Sequence, residues 1–540
     1  MAHHRPCVGM GVRTSRPRRT VVSVLDLGVD VTSRRQLAVA ALAGVVPATR
    51  AAPPGTHELP KVTTTPEWHL ARRAAHGPTQ EMAEEIERLG AAAWVDRQLK
   101  PTSIPDTRLE QMISAHFPWT GTTAGELMPL TNNQPWLGAR HLVTETTIRQ
   151  AYTNRVLFES MVELWSDMLH ASAVVDVNTP YVLEYDWDVL RRHALGRYSD
   201  LLLGSLTSSA MLSNLTNTFS TQWDVNENYG RELLELHSVG TGEYTEADVK
   251  QSSLILTGHT IDYDKHTYRY RSDWHHTGPV KVMGFSHPNA TAAGGPAVLT
   301  AYARYLATHP ATAQKVCRRI AVRFVSDEPS TALVDALAKT YLRAGTNVTP
   351  VLRQLFASAE FRESAGAKVR RPAEYVVPML KACGLPDRLE LDDPTWAANT
   401  FGNLEMLNTT LEQAGHLPWG FVSVDGPPDV ATPWLATNVI RGLWNSAEMI
   451  SARRDDAMRP TYTTLGLAEG QEVYAAATAL TQRLTGYTWD KDNLTRIASW
   501  LVGDTGSGTP EVGRTLTSDD VDGCQPAIRQ VLSSPYMLIR

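Results

Sequence analysis

Five histidines crowd into one short stretch, His259, His266, His275, His276 and His287, with Tyr263, Asp264, Tyr268 and Asp273 between them. Imidazoles and carboxylates carried on one hairpin can converge on a transition metal or on haem iron. On that reading His266, His275 and His276 are the candidate metal ligands, and a transition metal or haem is the cofactor. The spacings match no standard zinc pattern, and neither His-Glu-x-x-His nor Cys-x-x-Cys-His occurs. The competing reading is a polar surface hairpin whose histidines are simply solvated.

A second candidate lies just upstream, in the helical pattern over residues 224–240. Asp224 with Glu227 reads as a capping box, and Gly240 suits a left-handed stop. Thr245 with Asp248 repeats the device for the next helix. At about 100° per residue, Val225, Tyr229, Leu233 and Leu236 share an apolar face. Glu227, Arg231 and Glu235 line up at i, i+4 and i+8 on another, as a charged ladder that is either solvated or ties helices together. His237 stands nearly opposite Glu235, so the two do not form a bundle-type metal pair. Glu232 and His237 are candidate catalytic residues if they line a pocket, and His275 of the hairpin is the third catalytic candidate. His237 in a last helical turn also suits plain dipole stabilisation.

Other chemistries lack their signatures. The nearest approach to a nucleophile elbow is Asp504-Thr505-Gly506-Ser507-Gly508, which reads as a loop without strand or helix context. No Walker loop and no Gly-x-Gly-x-x-Gly supports nucleotide binding. Fourteen Trp is a high count, and Trp396, Trp419, Trp434 and Trp444 gather in the C-terminal third. They suit either a carbohydrate or aromatic-ligand groove or the filling of a core.

The elements that must position these groups are mostly helical. Apolar spacing predicts helices over residues 79–99, 147–173, 187–206, 224–239 and 245–257, and more to the C-terminus. Only residues 263–286 read as strand, through the alternation Tyr268-Arg269-Tyr270-Arg271 and the punctuation Gly278-Pro279. The expected fold is therefore mainly α, one large multi-helix domain with a small β-hairpin insert near 262–286. At 42% hydrophobic and 20% charged residues, the composition rules out wholesale disorder.

Charge is divided unevenly along the 540 residues. Residues 1–52 hold eight Arg, no Lys and only Asp26 and Asp30, whereas the rest carries 43 bases against 55 acids. An acidic body argues against a nucleic-acid partner. Arg34-Arg35 runs into the apolar stretch Ala38–Val46 and then into small residues, the order of a twin-arginine export signal. The apolar run falls short of the ~20 residues needed to span a bilayer. Residues 1–52 are thus expected to be an extension plus signal peptide, 53–66 a flexible lead-in, and 67–540 the helical domain. The expected partners are the twin-arginine translocation machinery and an envelope protein or polysaccharide. The expected location is extracellular, periplasmic or at the cell envelope. Removal of the signal takes Cys7 with it, which leaves Cys317, Cys383 and Cys524 in an oxidising compartment, and no bridge is expected among them.

Asn226-Glu227-Asn228-Tyr229-x-Arg231-Glu232-Leu233-x-Glu235-Leu236-His237-x-x-Gly240, followed by Tyr244-Thr245-x-x-Asp248-Val249, resembles the bacterial DUF1800 family. Arg192–Gly196, Leu256-Thr257-Gly258, His275-x-x-Gly278, His309–Ala313, Arg323–Asp327 and Ser533-Ser534-Pro535 fit it as well. The resemblance runs from about His69 to Arg540, and within the hairpin it favours His275. It implies no reaction, because the family has none assigned. It also marks departures. Met168 stands where the family usually has His, Ala75-His76-Gly77 replaces Gly-Phe-Gly, Gly415-His416 replaces Gly-Gln, and Gly426-Pro427-Pro428 replaces Gly-Trp-Pro. Two functions follow as expectations: an exported enzyme with metal- or haem-assisted chemistry, or a non-catalytic exported helical protein that binds a partner or surface polymer.

Overall fold

Helix starts and stops are written locally, by side chains that satisfy the free backbone groups at helix ends. A computed structural model describes residues 62–382, 408–451, 465–503, 509–511 and 513–540. The arginine-pair segment, most of the lead-in, Cys7, Cys383, Trp396 and residues 504–508 lie outside the described residues. Helix Pro66–Ala74 begins on the Thr65 hydroxyl, which accepts from Trp68 N at 3.3 Å, with proline at its first position. Residues 79–99 form two helices, Gln80–Leu89 and Ala91–Gln98, because Gly90 turns left-handed between them (φ +81°). Residues 147–173 likewise divide between Trp136–Tyr152 and Val156–Met168. The Asp106 carboxylate holds that break, accepting from Thr153 Oγ1 (2.6 Å) and Asn154 N (2.9 Å).

The region expected as a helix over 187–206 contains a π-helical turn, Tyr185–Arg191, before helix Tyr198–Leu206. A π turn brings residues five apart onto one face, and such turns recur at functional sites. The helix of the family motif spans Glu227–Glu235 and is capped by Asn226, whose Oδ1 accepts from Asn228 N at 2.9 Å. The expected Asp224–Glu227 box does not form, because the Asp224 backbone closes a turn with Thr221 instead. The Thr245–Asp248 capping box is present at the start of helix Glu246–Leu256.

Two short antiparallel hairpins are inserted after that helix. Strand β1 (His259–Asp262) pairs with β2 (Thr267–Tyr270), and β3 (Val280–Val282) pairs with β4 (Phe285–His287). The insert is thus two hairpins and begins earlier than the alternation suggested, because His259, Thr260 and Ile261 are buried strand residues. Among the described residues no helix is long and apolar enough to cross a membrane.

Residues Leu59–Arg540 form one compact unit with two hydrophobic cores. The first holds Trp94, Trp165, Tyr198, Tyr229 and Tyr302, together with the apolar faces of helices Val156–Met168 and Pro310–Phe324. The second holds Tyr375, Leu443, Val473 and Ile528, together with helix Pro372–Ala382. Trp419 belongs to the first core and Trp434 to the second, whereas Trp444 is half exposed, so these tryptophans do not line one groove.

Candidate active site

Helix Val156–Met168 is buried almost all round, yet it carries Glu159, Glu163 and Asp167 at i, i+4 and i+8 on one face. A carboxylate taken out of water costs several kcal/mol unless it is paired and hydrogen-bonded, so each needs a built partner. Arg191 at the end of the π turn serves Glu159, donating from both Nη atoms at 2.8 Å. Its Nε donates to Asp186 at 2.7 Å, across the five-residue spacing that the π turn creates.

Glu163 and Asp167 are served from the other core. Arg371, 1% exposed and just ahead of helix Pro372–Ala382, donates Nη2 to Glu163 and Nη1 to Asp167, both at 2.5 Å. Its Nε donates to Glu374 at 3.1 Å. Arg323, from the last turn of helix Pro310–Phe324, donates to both Glu163 and Glu374. His76 Nε2 stands 2.8 Å from Glu163 Oε2. Around this centre Arg540 pairs with Glu374 (3.2 Å), and Lys368 pairs with Asp429 (3.1 Å) and Asp327 (2.7 Å). Glu163, Asp167, Glu374 and Asp429 are thereby matched by Arg323, Arg371, Lys368 and Arg540, all buried at the seam between the two cores.

The two central carboxyls are pushed in opposite directions. Burial would raise Glu163, but Arg323, Arg371 and His76 override it and hold the group well below the usual carboxylate range. Burial also raises Asp167, Arg371 opposes only in part, and the neighbouring Glu163 charge adds to the rise, so Asp167 ends above its ordinary range. Asp186 is raised by burial too, against the pull of Arg191. A pair of carboxyls whose surroundings drive their ionisation apart is the arrangement that divides acid and base roles between two like groups.

These carboxyls wall an internal cavity of about 20 Å3, room for one water-sized molecule. Gln150, His170, Asp186, Arg191, His416 and Trp419 complete most of its polar lining. Its roof is the segment 416–429. His416 Nδ1 accepts from Ala373 N (3.2 Å), and the Phe421 carbonyl accepts from His170 Nε2 (2.7 Å). The Asp429 carbonyl accepts from Lys368 at 2.7 Å. Trp419 adopts a left-handed backbone (φ +61°), costly for a residue with a Cβ, and its indole N–H reaches Thr146 Oγ1 at 3.2 Å. Gly426 is also left-handed (φ +71°), and a Cβ there would come within 2.0 Å of the Asp167 carbonyl oxygen, so only glycine lets the roof lie on the helix. Burial and then the Arg371 charge lower His416 to about 3, so it is neutral.

The residues singled out in the sequence fall elsewhere. Both ring nitrogens of His275 are taken by protein oxygens, Nδ1 by the Thr257 carbonyl (2.8 Å) and Nε2 by Asn289 Oδ1 (3.0 Å). His266 sits in the β1–β2 turn with a left-handed backbone, its ring 6.3 Å from that of Tyr181, and His276 is half-buried. The structure does not assemble His266, His275 and His276 as a ligand set, and among the described residues no group of three His, Cys, Asp or Glu stands ready to hold a metal. His259 is buried against Tyr268 and Tyr270. His237 is buried in the first core's surroundings, lowered to about 3 by burial and then by Lys315. Glu232 is half-buried and raised by burial, then by Glu235, with Asp425 of the roof adding to the rise. The charged ladder does not form on its own helix. Arg231 instead grips Glu246 of the next helix through both Nη atoms, and Glu235 accepts from Tyr244 Oη at 2.7 Å.

Sequence reasoning gave no role to Glu163, Asp167, Arg371 and Glu374, and met Arg323 only as part of a stretch that fits the family. Three of the positions at which the chain departs from the family pattern surround them: His76 on Glu163, and His416 and Pro427 on the cavity wall. The fourth, Met168, follows Asp167 directly and is buried. Cys317 is a buried free thiol, and Cys524 is also buried.

The family model for DUF1800, described as a protein of unknown function, matches residues 69–539. The chain belongs to that family. Neither the curated proteins nor the solved structures contain a match to it.

Proposed function

We propose that this DUF1800-family chain is an exported enzyme whose acid–base centre is the buried Glu163–Asp167–Arg371 arrangement. The observation that carries this reading is the pair of carboxyls on one helix face, one guanidinium between them, whose proton affinities are pushed in opposite directions on the wall of a small cavity. Asp167 is the proton-transferring group and Glu163 the permanently charged one. Arg371 fixes both carboxyls and carries the compensating charge. The reaction class that suits the arrangement is proton transfer coupled to hydrolysis. A substrate larger than water reaches Asp167 when the segment 416–429 lifts. Metal- or haem-assisted chemistry at the histidine hairpin has less support, since His275 directs both ring nitrogens to protein oxygens.

Export by the twin-arginine route rests on the order of Arg34-Arg35, apolar run and small residues. Replacing both arginines with lysine should retain the full-length precursor in the cytoplasm, and secretion at the normal rate would refute the route. The catalytic reading is tested by screening the purified protein against ester, amide, glycoside and phosphoester panels beside an Asp167→Asn control.

A second reading, a non-catalytic exported protein that binds an envelope protein or surface polysaccharide, draws on a separate observation. Phe219 and Tyr263 stack at 6.1 Å while 69% and 48% exposed, and nearby in sequence Trp223 is 74% exposed. Exposed aromatic faces suit sugar rings and partner side chains. Under that reading Phe219→Ala with Trp223→Ala lowers retention on cell-wall polysaccharide, and Asp167→Asn leaves it unchanged.

A further inference from the structure

A surface cleft of about 450 Å3 opens between helices Pro66–Ala74, Ala91–Gln98, Thr349–Phe356 and Ala359–Glu363, and it shares no residue with the buried centre. That volume lies within the roughly 300–1,000 Å3 of pockets that hold small ligands. Its walls are apolar: Leu70, Val95, Phe356 and Phe361, with Ala91 and Ala92 leaving the space open. Most polar side-chain atoms among the walls are engaged within the protein, although His69 Nδ1 is buried without a partner among the described residues. Thr64 Oγ1 donates to the Gly486 carbonyl (2.9 Å), Thr65 Oγ1 accepts from Trp68 N (3.3 Å), and His69 Nε2 donates to the Phe361 carbonyl (2.7 Å). Burial and then Arg73 lower His69 to about 3, which keeps its ring uncharged against the cleft. A peptide laid here would bury N–H and C=O groups that find no partners. The occupant therefore has an apolar body and polar atoms at one end only.

The rim names that end. Arg353 gives Nε to Asp96 at 2.6 Å, and Arg362 gives one Nη to the Ala357 carbonyl at 2.7 Å. A guanidinium has five N–H donors, so both retain donors for a ligand, and two cations against one carboxylate leave the rim positive. We infer that this cleft binds a free fatty acid, its alkyl chain along the apolar walls and its carboxylate at Arg353 and Arg362. This inference stands independently of the catalytic reading.

Calorimetric titration of the purified protein with octanoate, decanoate and dodecanoate, below their micelle concentrations, tests it. One-to-one saturable binding is expected, strengthening about fourfold per methylene until the cleft fills. Ala92→Trp, at an exposed position that leaves the thermal midpoint unchanged, should abolish dodecanoate binding. Arg353→Gln and Arg362→Gln should each weaken dodecanoate about three- to fivefold and leave dodecanol unaffected. The inference is overturned by an absence of saturable binding, by undiminished binding to Ala92→Trp, or by equal losses for dodecanoate and dodecanol in the arginine variants.

Discussion

Glu163 and Asp167 lie one helical turn apart and share a single guanidinium, each accepting from a different Nη atom of Arg371 at 2.5 Å. The rest of their surroundings separates them. Glu163 also receives Arg323 and His76, whereas Asp167 faces burial with Arg371 as its one direct ion-pair partner among the described residues. One residue is thereby committed to the ionised state, and the other is left able to take up and return a proton.

The two positions should respond very differently to neutralisation. Glu163→Gln leaves Arg323 and Arg371 under-compensated in the interior and should cost about 3–5 kcal/mol, the range for breaking a buried ion pair. Asp167→Asn removes a charge that burial already opposes and should cost about 1 kcal/mol or less. Urea unfolding midpoints of the two variants compare them directly, and equal losses would remove the asymmetry on which the catalytic assignment rests.

Acid should unfold the protein steeply. Glu159, Glu163 and Asp429 are held below the ordinary carboxylate range, each because arginine or lysine neighbours override burial. Unfolded carboxyls take up protons near pH 4, while these three do not, so their contribution is complete above about pH 5 and is lost as pH falls through the lower folded values. Asp167 and Asp186 are raised and act with the opposite sign. The folded chain binds their protons first, so stability declines gently as pH rises from about 4 through their folded values. Thermal midpoints between pH 2 and 8 should rise sharply and then sag slightly, with the sag reduced in Asp167→Asn. A flat profile would contradict both signs.

The roof should tolerate no side chain at its tightest point. Gly426→Ala places a Cβ against the Asp167 carbonyl oxygen at a left-handed backbone position, so it should destabilise by more than about 1 kcal/mol. The thermal midpoint should fall, and Trp419 fluorescence should shift as the segment lifts. An unchanged midpoint and spectrum would mean that the roof does not rest on the helix.

His275 should prove structural. His275→Ala breaks the link between the Thr257 carbonyl and Asn289 and leaves both with unmet partners, a loss of about 1–3 kcal/mol. Elemental analysis of wild type and variant, purified without chelators, should give the same metal content. A metal present in the wild type and lost in the variant would restore the hairpin as a ligand site.

Local features were legible in the sequence because their causes are local. The helical class, the Thr245–Asp248 cap and the presence of a β insert all follow from spacings of a few residues, whereas the motif helix ends at Glu235, short of the expected stop at Gly240. The family motif was equally legible, but its helix uses Arg231 and Glu235 to hold neighbouring elements. The buried centre draws on His76, Glu163, Asp167, Arg323, Arg371 and Asp429, and no local period links positions so far apart. One signal was available: Glu159, Glu163 and Asp167 share a face of a helix whose other residues are largely apolar. Charges at regular spacing inside such a helix require buried partners, and Arg370-Arg371 ahead of Pro372 could have supplied them. The π turn that aligns Asp186 with Arg191 left no comparable sequence mark.

The most direct test of the central claim is the pH dependence of turnover, on whichever hydrolytic substrate the panel reveals, for wild type and Asp167→Asn side by side. If Asp167 transfers the proton, the wild-type profile shows an inflection above the ordinary carboxylate range. The variant then loses at least about a hundredfold in kcat while its unfolding midpoint stays within about 1 kcal/mol of wild type. Full activity in a well-folded Asp167→Asn protein would show that the centre only holds the two cores together.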